Sequence, residues 1–558
     1  MNPGTLRGMR VAAILVLLVA SAMPVAAHQV TTAAPTAGLG SLEFPTSAKS
    51  ANAQQAFVRA SLLLHLFEYD DAALAFQQAQ SLEPDFVMAV WGEAMTHNHP
   101  LWNQLDEKAG RQALAKLGKT PEERAAKAKT TRERDYLAAV EILYSGEGNK
   151  QDRDLRYDAA MQKMAARYAD DDQAQLFHAL ALLGRSEGVR NVPDYLRAAE
   201  ISRRIFEKNP QNPGAAHYWI HGMDDPEHAQ GAIEPARALS KIAPDAGHAQ
   251  HMTSHIFIAL GLWDDLVKAN VEAARVVNEH ARAQGKPQVS CFHYNEWLEY
   301  GYYQQGRQRE AGELLLACKR EGEAALAASA PGKEKDRLVS RFEGSLPIMR
   351  ATAVVESQDW NGAAVQLVMP EIHDANVLAV DRFVQGYAAA QRGDLARARS
   401  VLEQLRVQVA AAKPDSEYPQ ALDYLHILHD DLAGLVAVKS GELEQGIALV
   451  RGAARRLDTM AFDFGPPVMV KPPHELLGEL LLVAKRPGEA ADAFSRSLQL
   501  APLRAQSLLG LARAQQANGA STAASATYRQ LLAIWHRADA DSPGLGEVRD
   551  QAASPSRP

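Results

Sequence analysis

A pattern of paired helices recurs along the chain, and it constrains the fold more than any other feature of the sequence. Each copy has a small residue, an aromatic residue, a second small residue and a proline that ends the unit. Two clear copies are Ala72, Phe76, Ala79 and Pro84, and then Ala490, Phe494, Ser497 and Pro502. Further copies are marked by glycine-containing turns at Gly261, Gly306, Gly393 and Gly519.

One helical hairpin cannot bury its apolar face alone, so neighbouring hairpins must stack and bury it jointly. The sequence has no clear strand alternation, and its prolines and glycines fall between helical runs. We therefore predict an all-α fold, a solenoid of helical hairpins. The alternative is an unrelated helical bundle, which several copies in phase disfavour.

The repeat pattern resembles the tetratricopeptide repeat superfamily, and this resemblance implies a right-handed superhelical array with a concave groove. Residues 247–255, Gly-His-Ala-Gln-His-Met-Thr-Ser-His, resemble a motif of bacterial secreted tetratricopeptide proteins of unassigned activity. Residues 89–95 and 474–480 resemble that group as well, and residues 291–297 resemble a helix of tetratricopeptide repeat protein 38. The resemblance is specific for the fold and does not specify an activity.

The first 27 residues have the pattern of a secretory signal peptide. Arg7 and Arg10 precede an apolar run over residues 11–22, and small residues at 25–27 suit cleavage. We therefore expect a periplasmic or secreted protein. No later apolar stretch reaches about 18 residues without charges, so no membrane span is expected after cleavage. The net charge of −8, with no basic block, argues against nucleic acid as a partner.

Composition divides the chain into five expected parts. They are a signal peptide at 1–27, a flexible lead at 28–50, an N-terminal tetratricopeptide-type array with a His-rich groove at 51–330, a C-terminal array at 331–540, and a disordered tail at 541–558. Residues 103–135 fit the repeat poorly and predict a long helix or a loop-helix insertion. Residues 320–340 predict an extended second helix that runs into a linker.

Histidines concentrate at one phase of the repeat. With Gly261 at position 15 of a 34-residue unit, His248, His251 and His255 occupy positions 2, 5 and 9, on one helical face. One period earlier, positions 2, 5 and 9 are Gly214, His217 and His221; in the unit set by Gly306 they are His293, Glu296 and Tyr300. The resemblance implies that these positions line the concave groove. Random placement of the 18 histidines would put well under one there.

Neutral imidazole is a common metal ligand, and a carboxylate completes many catalytic sites. The six phased histidines and Glu296 would suffice for one metal ion with an open position, or for two. Such ligands suit Zn, Cu, Fe or Mn, and the sequence does not choose among these divalent transition metals. Two other readings remain open: a groove that binds an anionic or aromatic ligand through histidine hydrogen bonds, and plain packing between helices.

The leading functional hypothesis is an exported repeat protein whose groove carries a His-rich, metal-binding ligand or active site for a small molecule or peptide. Catalysis there would be metal-assisted hydrolytic or oxidative chemistry. Glu296 or a spare histidine would transfer a proton, and Tyr300 would orient the substrate. The alternative is a non-catalytic periplasmic scaffold that docks a peptide or protein partner in the groove.

Several other titratable residues lie outside the three repeat units that contain the six phased histidines. His97 and His99 precede Pro100, and they are expected to favour the negative end of a helix. His474 opens a C-terminal repeat with Glu475 and Glu479, which fall at positions 5 and 9. We expect these two residues on a solvated helix face; the alternative is that they face the groove. His28 would become the N-terminus after cleavage, where an amine and an imidazole can chelate copper.

The only two cysteines are Cys291 and Cys318. Cys291 lies just before the first helix of a unit, and Cys318 lies near the end of its second helix. In an antiparallel hairpin these two ends are neighbours, and an oxidising compartment would let a bond persist. We expect a disulfide; the alternatives are two buried thiols, or Cys291 as a soft metal ligand.

Overall fold

The computed structural model of the chain describes residues 36–186, 189–288, 290–415 and 418–553. The predicted signal peptide and His28 lie outside these ranges. Within them the chain forms 26 α-helices, three short 3-10 helices and a two-stranded antiparallel hairpin of β1 (Asn98–His99) and β2 (Gln104–Leu105).

The N-terminal helices are α1 (Ala51–His65), α2 (Tyr69–Leu82), α3 (Val87–Met95), α4 (Glu107–Ala115), α5 (Pro121–Lys127), α6 (Thr131–Tyr144), α7 (Lys150–Arg167), α8 (Asp172–Gly184), α9 (Val192–Lys208), α10 (Pro213–Gly222), α11 (Ile233–Ile242), α12 (Gly247–Ala259), α13 (Trp263–Ala283), α14 (His293–Gln304) and α15 (Gln308–Ala328). The C-terminal helices are α16 (Lys333–Ser357), α17 (Ala363–Gln366), α18 (Ala375–Gln391), α19 (Leu395–Ala411), α20 (Ala421–Lys439), α21 (Leu443–Thr459), α22 (Pro473–Val483), α23 (Pro487–Leu500), α24 (Ala505–Ala517), α25 (Ser521–Ile534) and α26 (Leu545–Ala553). The 3-10 helices are Pro100–Trp102, Ala229–Ala232 and Trp535–Arg537.

Consecutive helices pack as hairpins, and this confirms the predicted all-α, tetratricopeptide-type solenoid. The pairs α1/α2, α12/α13, α20/α21 and α24/α25 show it most clearly. The aromatic and small residues of the repeat explain the packing. A Cβ atom on Gly478 or Gly510 would lie 2.7 or 2.2 Å from the ring of Phe494, so this ring fills the space that the two glycines leave.

The described parts of the expected lead and tail contain packed apolar residues. In the expected flexible lead, Leu39, Leu42 and Phe44 are buried, and the Phe44 ring lies 5.0 Å from that of Phe57. Residues 545–553, in the expected tail, form α26 with Leu545 buried. A few apolar side chains therefore anchor segments whose overall composition resembles that of flexible chain.

The prediction for residues 103–135 is confirmed, and the one for residues 320–340 is confirmed in part, because α16 begins within that segment. Between residues 103 and 135 the chain forms two short helices, α4 and α5, and begins α6, which is a loop-helix insertion. Helix α15 extends to Ala328, and only four residues separate it from α16, which starts at Lys333.

The array curls back on itself. The Trp263 indole donates to the Leu503 carbonyl at 3.1 Å, and the Trp535 indole donates to the Gln304 carbonyl at 3.1 Å. The residues of each pair lie more than 200 positions apart in the chain. The C-terminal repeats therefore close over the middle of the array and enclose part of its inner surface. Across the described ranges, no helix has both the length and the apolar character needed to cross a bilayer.

Candidate metal centre

Three helices bring the six phased histidines together. Helix α10 carries His217 and His221, α12 carries His248, His251 and His255, and α14 begins at His293. Ligand nitrogens of His217, His221 and His248 lie within 4.8 Å of one another, and so do those of His251, His255 and His293. The six residues are called the histidine cluster below.

The cluster is enclosed, where the sequence predicts an open groove. His293 is exposed, but the other five histidines are buried, and His251 is 0% exposed. Three aromatic residues cover them. Trp297 lies 4.5 Å from the His255 ring, Phe464 lies 5.1 Å from it, and Phe67 lies 4.4 Å from the His217 ring. Phe464 comes from the loop at residues 460–472, called the covering loop below, which the curled array places over α12.

Hydrogen bonds fix the tautomers of three histidines. The Nδ1 atom of His217 lies 2.7 Å from the backbone oxygen of His65, which can only accept. His251 Nδ1 lies 2.7 Å from Asn270 Oδ1, and the Asn270 amide nitrogen donates to Leu266, so its oxygen faces the imidazole. His255 Nδ1 lies 2.5 Å from Asp224 Oδ2. Nδ1 therefore carries a proton in all three rings, and in the neutral rings of His217 and His251 the Nε2 atom has a free lone pair.

Four ring nitrogens of the cluster lack a hydrogen-bond partner among the described residues. The Nε2 atoms of His251 and His255 face each other at 3.2 Å. The Nε2 atoms of His217 and His248 and both ring nitrogens of His221 are buried without a hydrogen-bond partner among the described residues. Buried polar atoms are normally satisfied, so this concentration needs an explanation.

Burial keeps these imidazoles neutral. It lowers the pKa of His217 to about 3, and it lowers the pKa values of His221, His248 and His251 well below the usual 6.5. Neighbouring imidazoles lower the pKa values further, because two positive charges would repel each other. The neutral ring is the form that ligates metal ions.

The sequence analysis missed Asp224 and Asn270. Asp224 is 1% exposed and follows α10 in a loop, where the repeat phase does not apply. Its second oxygen, Oδ1, is buried without a partner in the described part of the chain. An oxygen of Asp224 also lies within 4.8 Å of ligand nitrogens of His221 and His255, so this residue joins the two histidine groups. Asn270 is 0% exposed and belongs to the neighbouring helix, α13.

The two residues predicted for catalysis have hydrogen-bond partners outside the histidine cluster. Glu296 hydrogen-bonds Ser345, and burial raises its pKa to about 7. The Tyr300 hydroxyl accepts a hydrogen bond from the Arg504 guanidinium at 3.1 Å. Their predicted roles in proton transfer and substrate orientation stay predictions. Cys291 forms the expected disulfide with Cys318, with a Cα separation of 4.6 Å, which removes it as a thiolate ligand.

The remaining candidates have structural partners. His99 stacks on Tyr69 at 3.9 Å, and His474 lies 3.1 Å from Asp458. The expectation of a solvated face for Glu475 is wrong, because this residue is 0% exposed and binds Arg504 at 2.8 Å. Glu479 pairs with Lys471, itself 3% exposed. The curling of the array, which the repeat phase does not predict, buries this charged group.

No protein-family model matches the chain, and no curated protein matches it. Similar solved structures include the APC/C hetero-tetramer Cut9–Hcn1, at 12% identity over 90% of this chain and 76% of that chain, with a TM-score of 0.33. A monomeric IFIT1 mutant with Gppp-AAAA is 12% identical over 86% of this chain and 90% of its own, with a TM-score of 0.30. The human IFIT1 dimer with PPP-AAAA is 13% identical over 88% and 92%, with a TM-score of 0.30. None of these matches bears on ligand or activity.

Proposed function

We propose that this chain is an exported tetratricopeptide-type protein whose interior binds one or two transition-metal ions through the histidine cluster. Zn, Cu, Fe and Mn all suit six imidazoles and a carboxylate. The centre would serve as a ligand-binding or active site for a small molecule.

The observation that carries the proposal is the contact between His251 and His255. Their Nε2 atoms are 3.2 Å apart, and each ring has its Nδ1 held by an acceptor. Two imidazoles on one tetrahedral ion, each at about 2.0–2.1 Å, would have their nitrogens about 3.3 Å apart. The observed separation therefore suits two ligands of one metal ion.

The partners of the imidazoles support the same reading. Metal-binding histidines usually donate their other ring N–H to a carboxylate or a carbonyl, which orients the ring and makes it more basic. His217 has a backbone carbonyl in this role, His251 has an amide oxygen and His255 has the Asp224 carboxylate. Plain packing between helices would leave these free nitrogens unexplained.

The chemistry of the centre would follow from its metal and its carboxylate. A bound divalent ion polarises a substrate and lowers the pKa of bound water, which suits hydrolytic chemistry, and a redox-active ion suits oxidative chemistry. Asp224 is the carboxylate that contacts the cluster, and it holds His255 in its tautomer. Its Oδ1 is buried without a hydrogen-bond partner among the described residues, which leaves a carboxylate oxygen for a metal ion beside His221 and His255.

Export is part of the proposal. It rests on the signal-like residues 1–27 and is supported by the Cys291–Cys318 bond, since disulfides persist mainly in oxidising compartments.

The test is metal analysis of full-length, untagged protein purified from the periplasm of a bacterial host. We expect one or two equivalents of a transition metal by mass spectrometry. His251→Gln, which keeps most of the side-chain volume, should lower metal affinity at least about a hundredfold, more than the loss of an outer partner would. The matched control is His178→Gln, since His178 is also buried but lies outside the cluster.

Two outcomes would contradict the proposal. One is a wild-type protein without stoichiometric metal, which would leave the non-catalytic scaffold as the better hypothesis. The other is His251→Gln protein that binds metal like wild type. Circular dichroism of the metal-free proteins distinguishes two causes of weaker metal binding. An unchanged helical spectrum for His251→Gln means that only a metal ligand is lost, and a reduced helical signal means that the variant is unfolded.

A further inference from the structure

The histidine cluster divides into two groups of three that share no residue. The first, called the inner group below, is His217, His221 and His248; the second, called the outer group, is His251, His255 and His293. Two ligands of one ion lie at most about 4.2 Å apart, because each metal–nitrogen bond is about 2.0–2.1 Å long. The ligand nitrogens within each group lie within 4.8 Å of one another, which is close to that limit. Each group therefore has the size of a site for one ion.

Each group also packs against an aromatic ring of its own. The Phe67 ring lies 4.4–5.9 Å from all three imidazoles of the inner group. The Trp297 ring lies 4.5–5.4 Å from all three imidazoles of the outer group. The backbone of Phe67 has a φ of 59°, a conformation that bulky residues rarely adopt and that persists only where the surrounding structure holds it. The same arrangement, three imidazoles on one ring, thus occurs twice, which favours two sites over one enlarged site.

The two groups differ in their access to solvent. All three inner histidines are buried behind Phe67, which is itself 6% exposed, whereas His293 of the outer group is exposed. Burial nevertheless lowers the pKa of His293 to about 3, so this side chain faces a recess within the array and not its outer surface. Phe464 of the covering loop lies 6.4 Å from the His221 ring and 5.1 Å from the His255 ring, so it covers the junction of the groups. A dissolved ligand would therefore approach from the side of His293.

Charge determines which ligand suits an ion in the outer group. Metal-bound imidazoles are neutral, so three of them leave the two positive charges of a divalent ion uncompensated. Asp224 is shared between the groups, because its Oδ2 lies 2.5 Å from His255 Nδ1 and one of its oxygens lies within 4.8 Å of a His221 nitrogen. A tetrahedral ion with three protein ligands keeps one open position. A small anion would fill this position and supply negative charge.

We infer that the centre holds two metal ions, one in each group, and that only the outer ion binds a small anion from solution. The inner ion would be enclosed and would cross-link α10 and α12, which carry its ligands. The inference rests on the proposed function and deepens it, because it assigns ligand binding to one of the two ions and names the chemical class of the ligand.

The probes are Co²⁺, whose visible absorption reports its coordination, and azide as the small anion. Full-length, metal-free protein is titrated with Co²⁺ and then with azide. Wild type should bind two equivalents of Co²⁺, and azide should change the absorption of one of them. His293→Gln should bind one equivalent that does not respond to azide, and His217→Gln should bind one equivalent that does. His248→Gln serves if His217→Gln does not fold, and His178→Gln, outside the cluster, is the matched control that should bind two equivalents.

The outcomes separate this inference from the proposed function. A folded wild-type protein that binds a single equivalent, which the inner and the outer substitution both abolish, overturns the inference and leaves the proposed function intact. Two equivalents that both respond to azide, or two that both fail to respond, also overturn the inference alone. A folded protein that binds no Co²⁺ and carries no transition metal when purified from the periplasm overturns the proposed function, and the inference with it.

Discussion

Asn270 and Asp224 decide which nitrogen of two central histidines is free. Each accepts the Nδ1 proton of one ring, so Nε2 is the nitrogen of His251 and of His255 that points into the cluster. A histidine without such a partner can place its proton on either nitrogen and lose half of its ligating population. The chemistry of the cluster therefore depends on two residues that need not bind the metal themselves.

Replacing Asn270 tests this dependence. Asn270→Ala removes the acceptor for His251 Nδ1, so we expect metal affinity to fall by about 10- to 100-fold, as for other outer partners of metal-bound histidines. Asn270→Asp keeps an acceptor oxygen at the same place and should restore most of the affinity. Competition with a chromophoric chelator measures both. Equal affinity for wild type and Asn270→Ala would show that the tautomer of His251 has no influence on binding.

At the scale of single residues, the sequence predicted that the histidines share one face, but it did not predict their hydrogen-bond partners. The histidines recur with the 34-residue period, so their common face follows from helical geometry. Asp224 lies in a loop, where the phase of the 34-residue repeat does not apply. Asn270 lies on the packed face of α13 between Leu266 and Ala273, both buried. Asn270 is a single polar residue on an apolar helix face, and this feature of the sequence could have identified it.

Among the elements, the hairpin of α14 and α15 is the one held covalently. The disulfide joins Cys291, before α14, to Cys318 in α15, and this confirms the prediction from antiparallel hairpin geometry. Helix α14 carries His293, a member of the cluster, and Trp297, whose ring lies 4.5 Å from that of His255. The bond therefore fixes the start of the helix that completes the second histidine group.

Removing the disulfide should cost stability and metal affinity together. Cys291→Ser with Cys318→Ser opens a loop of 27 residues, which in the chain-entropy model costs about 3 kcal/mol. We expect a lower urea midpoint and weaker metal binding, because His293 loses its fixed position. Reduced wild-type protein should behave like the double variant. An unchanged midpoint in both samples would mean that the bond leaves the stability of the array unaffected.

At the scale of the whole molecule, Arg504 joins three parts of the chain. It is 0% exposed and contacts Tyr300 of α14, Glu356 of α16 and Glu475 of α22. The sequence predicts the hairpins, because each has its own local pattern. It does not predict this closure, because the contacts join repeats about 30 to 200 residues apart and depend on the summed curvature of the array.

Glu475→Gln tests how the closure responds to pH. Burial alone would raise the pKa of Glu475, but the charges of Arg504 and Lys471 outweigh burial and lower this pKa from 4.5 to about 2. The folded protein therefore keeps the carboxylate ionised below pH 4.5 while the unfolded chain takes up a proton. The stability that the ionised group contributes is complete above pH 4.5 and is lost as the pH falls toward 2.

Two results should follow, both measured as urea midpoints by far-ultraviolet circular dichroism. At pH 7, Glu475→Gln should destabilise the protein by about 3–5 kcal/mol, because it leaves Arg504 buried with less compensating charge. The difference from wild type should shrink as the pH is lowered from 4.5 to 3. The matched control is Glu489→Gln, because Glu489 pairs with Arg486 on the exposed surface and should change the midpoint little. If the stability difference between Glu475→Gln and wild type is the same at pH 7 and pH 3, the charge of Glu475 does not stabilise the closed array.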